Sequence, residues 1–114
     1  IMHGFNPDFD FIGCIDLLLA GILLGLPYIF NKNLWFAIAL HFSWNFFQSL
    51  FGFNVSGIDS YSLIEISIPE PNLINGGGFG FEGSILSISV QLFFIVIMCF
   101  HFRKKYKSTS DATE

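Results

Sequence analysis

His41 and Asn45 stand four residues apart in LWFAIALHFSWNF, residues 34–46, a run otherwise made of apolar and aromatic side chains apart from Ser43. Residues four apart lie one above the other on a helix, so the imidazole and the carboxamide project together. An imidazole can hold water, move a proton or ligate a metal, and a carboxamide N–H can donate to a developing oxyanion. The alternative is structural, because histidine and asparagine also join helices by hydrogen bonds within membranes. His3 is a second histidine next to apolar sequence, just ahead of the breaker FNPDFD. Asp16 lies inside the next apolar run and is expected to hydrogen-bond across a helix bundle or to pair with His3. His101, beside Arg103, reads as an interfacial residue.

The elements that position these residues are of membrane type. The chain is 53% hydrophobic and 18% aromatic, with 16 Phe and only 12% charged residues, about half the charged fraction of soluble domains. Three apolar windows, 11–30, 34–53 and 85–102, approach the length that crosses a hydrocarbon core. The expected fold is all-α: a multi-spanning transmembrane helix bundle with three spans in this sequence. Ile1, Met2 and His3 read as the last turn of a truncated fourth helix, so the chain is expected to be the C-terminal part of a larger protein whose N-terminal helices complete the bundle. Asn31-Lys32-Asn33 is a tight turn that makes the first two spans an antiparallel hairpin. Gly21 and Gly25 have the small-xxx-small spacing that admits a close neighbouring helix.

Charge placement sets an orientation. Lys32 follows the first span, and Arg103, Lys104, Lys105 and Lys107 follow the third, whereas the connecting segment 54–84 carries Asp59, Glu65, Glu70 and Glu82 and no basic residue. The positive-inside rule then places the 31–33 turn and the 103–114 basic and polar tail in the cytoplasm, with 54–84 as an outer loop. Within that loop, residues 64–68 alternate like a short strand, and the tail beyond Lys107 is expected to be disordered. Cys14 and Cys99 should lie about 20 Å apart in depth, too far for a disulfide. The net charge of −4 says nothing about nucleic acid, but no basic patch interleaved with aromatics exists outside the tail, and no nucleic-acid partner is expected. Gly78-Phe79-Gly80-Phe81-Glu82-Gly83 matches G-x-G-x-x-G but leads into a lipid-length helix, not a βαβ unit, and is not read as a nucleotide site.

IMHGFNP, a span containing AGILLGL, LWFAIALHFSWNF and then GGGFGFEGS before the last helix together resemble the CPBP intramembrane proteases. These are relatives of the CAAX prenyl endopeptidases and of bacteriocin-processing and self-immunity proteins. The resemblance covers most of residues 1–102, the C-terminal half of the family's domain, and its specificity lies in LW-x-x-I-x-x-H-x-x-W-N. It implies a membrane-embedded endopeptidase that processes CAAX-type or leader-peptide substrates, hydrophobic or lipid-anchored, in a bacterial cytoplasmic membrane. His3 would be the histidine of the family's second motif, and His41 and Asn45 the pair of its third. The first motif, two adjacent glutamates followed by an arginine, is absent from this sequence, and Glu82, with no neighbouring acid, is no substitute. By itself the fragment would therefore be inactive. Where the family's mechanism uses a metal, His3 and His41 are the candidate ligands, and zinc is the metal they would suit. The competing expectation is a non-catalytic membrane module on the same scaffold, such as an immunity protein. A transporter fragment is a third reading, which lacks the paired broken helices such proteins show.

Overall fold

The computed structural model describes residues 2–59, 61–65 and 70–111. Three α-helices make the frame: α1 (Phe11–Asn31), α2 (Leu34–Leu50) and α3 (Ile85–Asp111). A 3₁₀ turn over Met2–Phe5 precedes α1, and two more, Gly77–Phe79 and Phe81–Gly83, lead into α3. No named strand occurs among the described residues; Val55 and Ile58 form an isolated bridge. The structure is therefore all-helical. α1 and α3 are long and apolar enough to cross a membrane, while α2 has 17 residues.

Each helix begins and ends where its local sequence dictates. Asp10, extended, accepts from the Gly13 amide at 2.8 Å and caps α1. Lys32 closes α1 in the left-handed region at φ 53°, its amide bonded to the Tyr28 carbonyl at 2.8 Å. Asn33 then caps α2 by accepting from the Trp35 amide at 2.9 Å, so the 31–33 turn both ends one helix and starts the next. α2 packs back on α1. It stops three residues short of the expected Phe53 because Gly52, at φ 79°, lets the chain turn back. Gly52 donates to the Ser49 carbonyl and Phe53 to the Gln48 carbonyl, each at 3.0 Å, the paired bonds of a Schellman stop.

α3 runs nine residues beyond the expected end at 102, so the disorder expected after Lys107 is not found as far as Asp111. Ser84 caps its start, its hydroxyl accepting from the Ser87 amide at 3.0 Å. Residues 66–68 of the expected strand lie outside the described residues, and Ile64 and Glu65 are not in a strand. Pro27 is buried inside α1. Around Gly21 and Gly25, by contrast, a methyl group would meet nothing within 4 Å, so no described element uses their small-residue face.

Packing is inverted relative to a water-soluble domain. Among the described residues Leu23, Phe79 and Phe102 are the buried large apolar side chains, whereas Asp16, Gln48, Ser56, Glu82, Ser84, Ser87 and Gln91 are all buried. Phe11, Leu18, Ile22, Trp35, Phe36, Phe42, Phe93 and Phe100 face outward. Lipid supplies the apolar solvent such a surface needs, and polar side chains turned inward find partners there. At one end Phe30 stacks on Phe102 with ring centroids 4.4 Å apart, so the turn after α1 and the basic segment after Phe102 lie at the same end of the bundle. At the other end Phe79 fills the space beside Gly13 and Phe9, with the Phe9 ring edge-on at 5.7 Å.

Candidate functional site

The expected i, i+4 pair is formed. The Asn45 amide nitrogen lies 3.4 Å from His41 Nε2, a long contact in which Nε2 accepts when the imidazole carries its proton on Nδ1. The His41 ring is on an exposed face of α2, while Asn45 Oδ1 is buried and has no hydrogen-bond partner. His41 therefore has open space before it, and Asn45 keeps hydrogen-bonding capacity in reserve.

His3 is placed differently. It sits exposed in the 3₁₀ turn Met2–Phe5, with Asn6 Nδ2 3.4 Å from its Nδ1. Asn6 also donates to the Ser56 carbonyl at 2.9 Å, tying this turn to the loop after α2. No hydrogen bond among the described residues joins His3 to His41 or Asn45. A catalytic zinc takes three protein ligands, and no three His, Cys, Asp or Glu side chains form such a group among the described residues. His3 and His41 do not by themselves fit a zinc ion, and no step is derived through one. Cys14 and Cys99 are free thiols.

Sequence reasoning passed over the best-held acid in the chain. Glu82, at the start of the approach to α3, is only 5% exposed. Its Oε1 accepts from Trp44 Nε1 at 2.9 Å and from Gln48 Nε2 at 3.1 Å, and its Oε2 accepts from Ser56 Oγ at 2.5 Å. Trp44 and Gln48 are one turn apart on α2, interleaved with His41 and Asn45. Only part of the signal was in the sequence: Trp44 and Gln48 offer two donors at i, i+4 spacing, and an ionisable residue at the mouth of a lipid-length helix needs partners, but no spacing rule joins the two.

The glycines around Glu82 exist to let three backbones meet. A methyl group on Gly80 (φ 87°) would sit 1.9 Å from the Asn54 carbonyl oxygen, and one on Gly57 (φ 78°) 2.1 Å from that of Pro7. Gly57 N–H in turn donates to the Phe79 carbonyl at 2.9 Å. The Gly-rich segment is thus a backbone joint.

A second acidic centre lies between α1 and α3. Asp16 Oδ1 accepts from Ser87 Oγ at 2.5 Å and from Gln91 Nε2 at 2.6 Å. This is the bundle-crossing role expected of Asp16, and His3 takes no part in it.

On α2, the flank beyond Trp44 opens into a cavity of about 390 Å³ lined by Leu40, Ser43, Phe47, Phe51, Phe53 and Phe81 as well as Trp44 and Gln48. The helix thus carries an apolar hollow on one side and the His41–Asn45 pair on the other, with the Glu82 contacts between them.

Residues 1–47 match the family model described as type II CAAX prenyl endopeptidase Rce1-like, so the family resemblance read from LWFAIALHFSWNF and IMHGFNP holds over that stretch. No curated protein and no solved structure matches the chain. The family match and the two apolar helices point to an integral membrane protein.

Proposed function

We propose that this chain is the C-terminal part of a membrane-embedded endopeptidase of the CAAX type, built as a three-span bundle and hydrolysing peptide bonds of membrane-associated substrates. The observation that carries the reading is the His41–Asn45 pair, one helical turn apart with an exposed imidazole, inside the residues that match the CAAX endopeptidase model.

In this role His41 orients the attacking water or the scissile carbonyl, and Asn45 donates an amide N–H to the oxyanion as it forms. His3, in the turn before α1, is the third side chain assigned to the reaction, on the strength of the family resemblance. The base that takes the proton of water is not among these side chains. Both buried carboxylates, Asp16 and Glu82, are held by structural donors, and the sequence has no adjacent glutamates. The reaction therefore draws its base from a further segment of the full-length protein.

The engagement of both carboxylates also favours, as the second reading, a non-catalytic immunity or binding module on the same scaffold. One experiment separates the two. The full-length protein is reconstituted in liposomes and given a fluorogenic prenylated CAAX peptide and a leader-peptide analogue. Cleavage that falls at least about 100-fold in His3→Ala, His41→Ala and Asn45→Ala, with insertion intact, is the expected result. Full activity in His41→Ala overturns the protease reading. Protection against a bacteriocin that survives all three substitutions supports the binding module.

A further inference from the structure

Glu82 has no role in the chemistry proposed above, yet it is the most heavily engaged side chain at this end of the bundle. Trp44 and Gln48 give it two attachment points on one face of α2, and Ser56 gives it a third on the loop that follows. Both carboxylate oxygens are occupied, so it is poorly placed to take a proton from water. What these bonds do is hold a helix.

α2 has few other restraints. Gln48 is its one buried residue, and its principal helical neighbour is α1. Apolar packing against lipid does little to distinguish one rotation of α2 from another, because lipid tails are as apolar as its Phe and Leu side chains. A two-point polar contact does distinguish them.

The affected face is the one that bears His41 and Asn45. At ~100° per residue, the mean direction of His41 and Asn45 is about 60° round the helix from that of Trp44 and Gln48. If α2 turned by about 20°, groups at a radius of ~5–6 Å would move about 2 Å. Productive geometry tolerates roughly 0.5 Å and 10–20°.

We propose that Glu82 is a positioning residue: its carboxylate sets the rotation of α2 through Trp44 and Gln48, and thereby the direction in which His41 and Asn45 face. The inference rests on the protease reading for its kinetic consequence, though not for the orientation itself.

The test uses the full-length protein and four variants: Glu82→Ala, Glu82→Gln, the double variant Trp44→Phe/Gln48→Leu, and that double variant combined with Glu82→Ala. Glu82→Ala and the double variant are each expected to lower kcat about 100-fold with KM little changed. The triple variant should be no worse than the double, because the three side chains act as one unit. Glu82→Gln keeps a carbonyl oxygen for Trp44 and Gln48 and should recover most of kcat. A Gln variant as inactive as Ala, or a triple variant at least tenfold below the double, overturns the proposal by giving Glu82 a part of its own in the reaction. So does an unimpaired Glu82→Ala.

A second measurement is independent of catalysis. With Cys14 and Cys99 replaced by Ser, nitroxide labels at the exposed positions 42 and 97 report the α2–α3 distance distribution. A narrow distribution in the parent and in Glu82→Gln that shifts or broadens in Glu82→Ala is expected. A distribution unchanged by Glu82→Ala overturns the positioning role. Absence of cleavage by the wild-type protein condemns the protease reading instead, and the label distances still decide whether Glu82 orients α2.

Discussion

The Gln91 side-chain amide donates to the Asp16 carboxylate at 2.6 Å, and this bond joins α1 to α3 in the polar interior of a bundle whose large apolar residues face outward. Both residues are 1% exposed. Ser87 adds a second donor from one turn earlier on α3. In lipid, these bonds supply a specificity that apolar contact does not.

Asp16→Ala should lower the thermal midpoint in detergent micelles. The substitution strands the Ser87 hydroxyl and the Gln91 amide without their acceptor, at about 1–3 kcal/mol for a buried polar group left unsatisfied. Asp16→Asn keeps a carbonyl acceptor and should cost less. Removing the whole network in Asp16→Leu/Ser87→Ala/Gln91→Leu should restore much of the lost stability, since no polar group is then left stranded. A triple variant less stable than Asp16→Ala would show that the network contributes net stability of its own.

The glycines predict opposite outcomes according to what surrounds them. Gly80→Ala brings a methyl group onto the Asn54 carbonyl at a positive φ, and should destabilise by more than about 1 kcal/mol. The joint around Glu82 should loosen with it, visible as a change in Trp44 emission when Trp35 is replaced by Phe. Gly25→Ala has open space around it, and should hold or raise the midpoint, because Ala is favoured over Gly in a helix by about 1 kcal/mol. Equal loss at both positions would mean that a helix packs on the Gly21–Gly25 face in the membrane.

Much of this frame was legible because lipid imposes long apolar runs. The span expected at 11–30 corresponds to α1 at 11–31, where FNPDFD supplies the cap and Asn31-Lys32-Asn33 the turn. α2 was overextended because hydropathy continues through Phe53, whereas the stop lies in the backbone of Gly52, which hydropathy does not register. His41 and Asn45 were legible as a pair because four residues make one helical turn. The Glu82 joint was not, because its partners lie 26 to 38 positions upstream and no spacing rule links them. Ser84, Ser87 and Gln91 did offer a clue: they form a polar stripe at i, i+3 and i+7 into the first turns of α3, which marks the face that α1 covers.

The residues at the two ends of the bundle give a test of where those ends lie. The Phe30–Phe102 stack brings Lys32 and the Arg103–Lys105 segment to one end, and the exposed Tyr61 lies in the connection between α2 and α3. If the positive end is cytoplasmic, single cysteines at 32 or 104, with Cys14 and Cys99 replaced by Ser, should react with a membrane-impermeant maleimide only after permeabilisation. A cysteine at 61 should react in intact cells. That pattern puts the Glu82 joint toward the outer leaflet, and substrate would have to reach His41 past it or from the side. The reverse labelling would turn the bundle over, placing Glu82, Asp16 and the turn bearing His3 toward the cytoplasm, where a CAAX-type substrate would arrive.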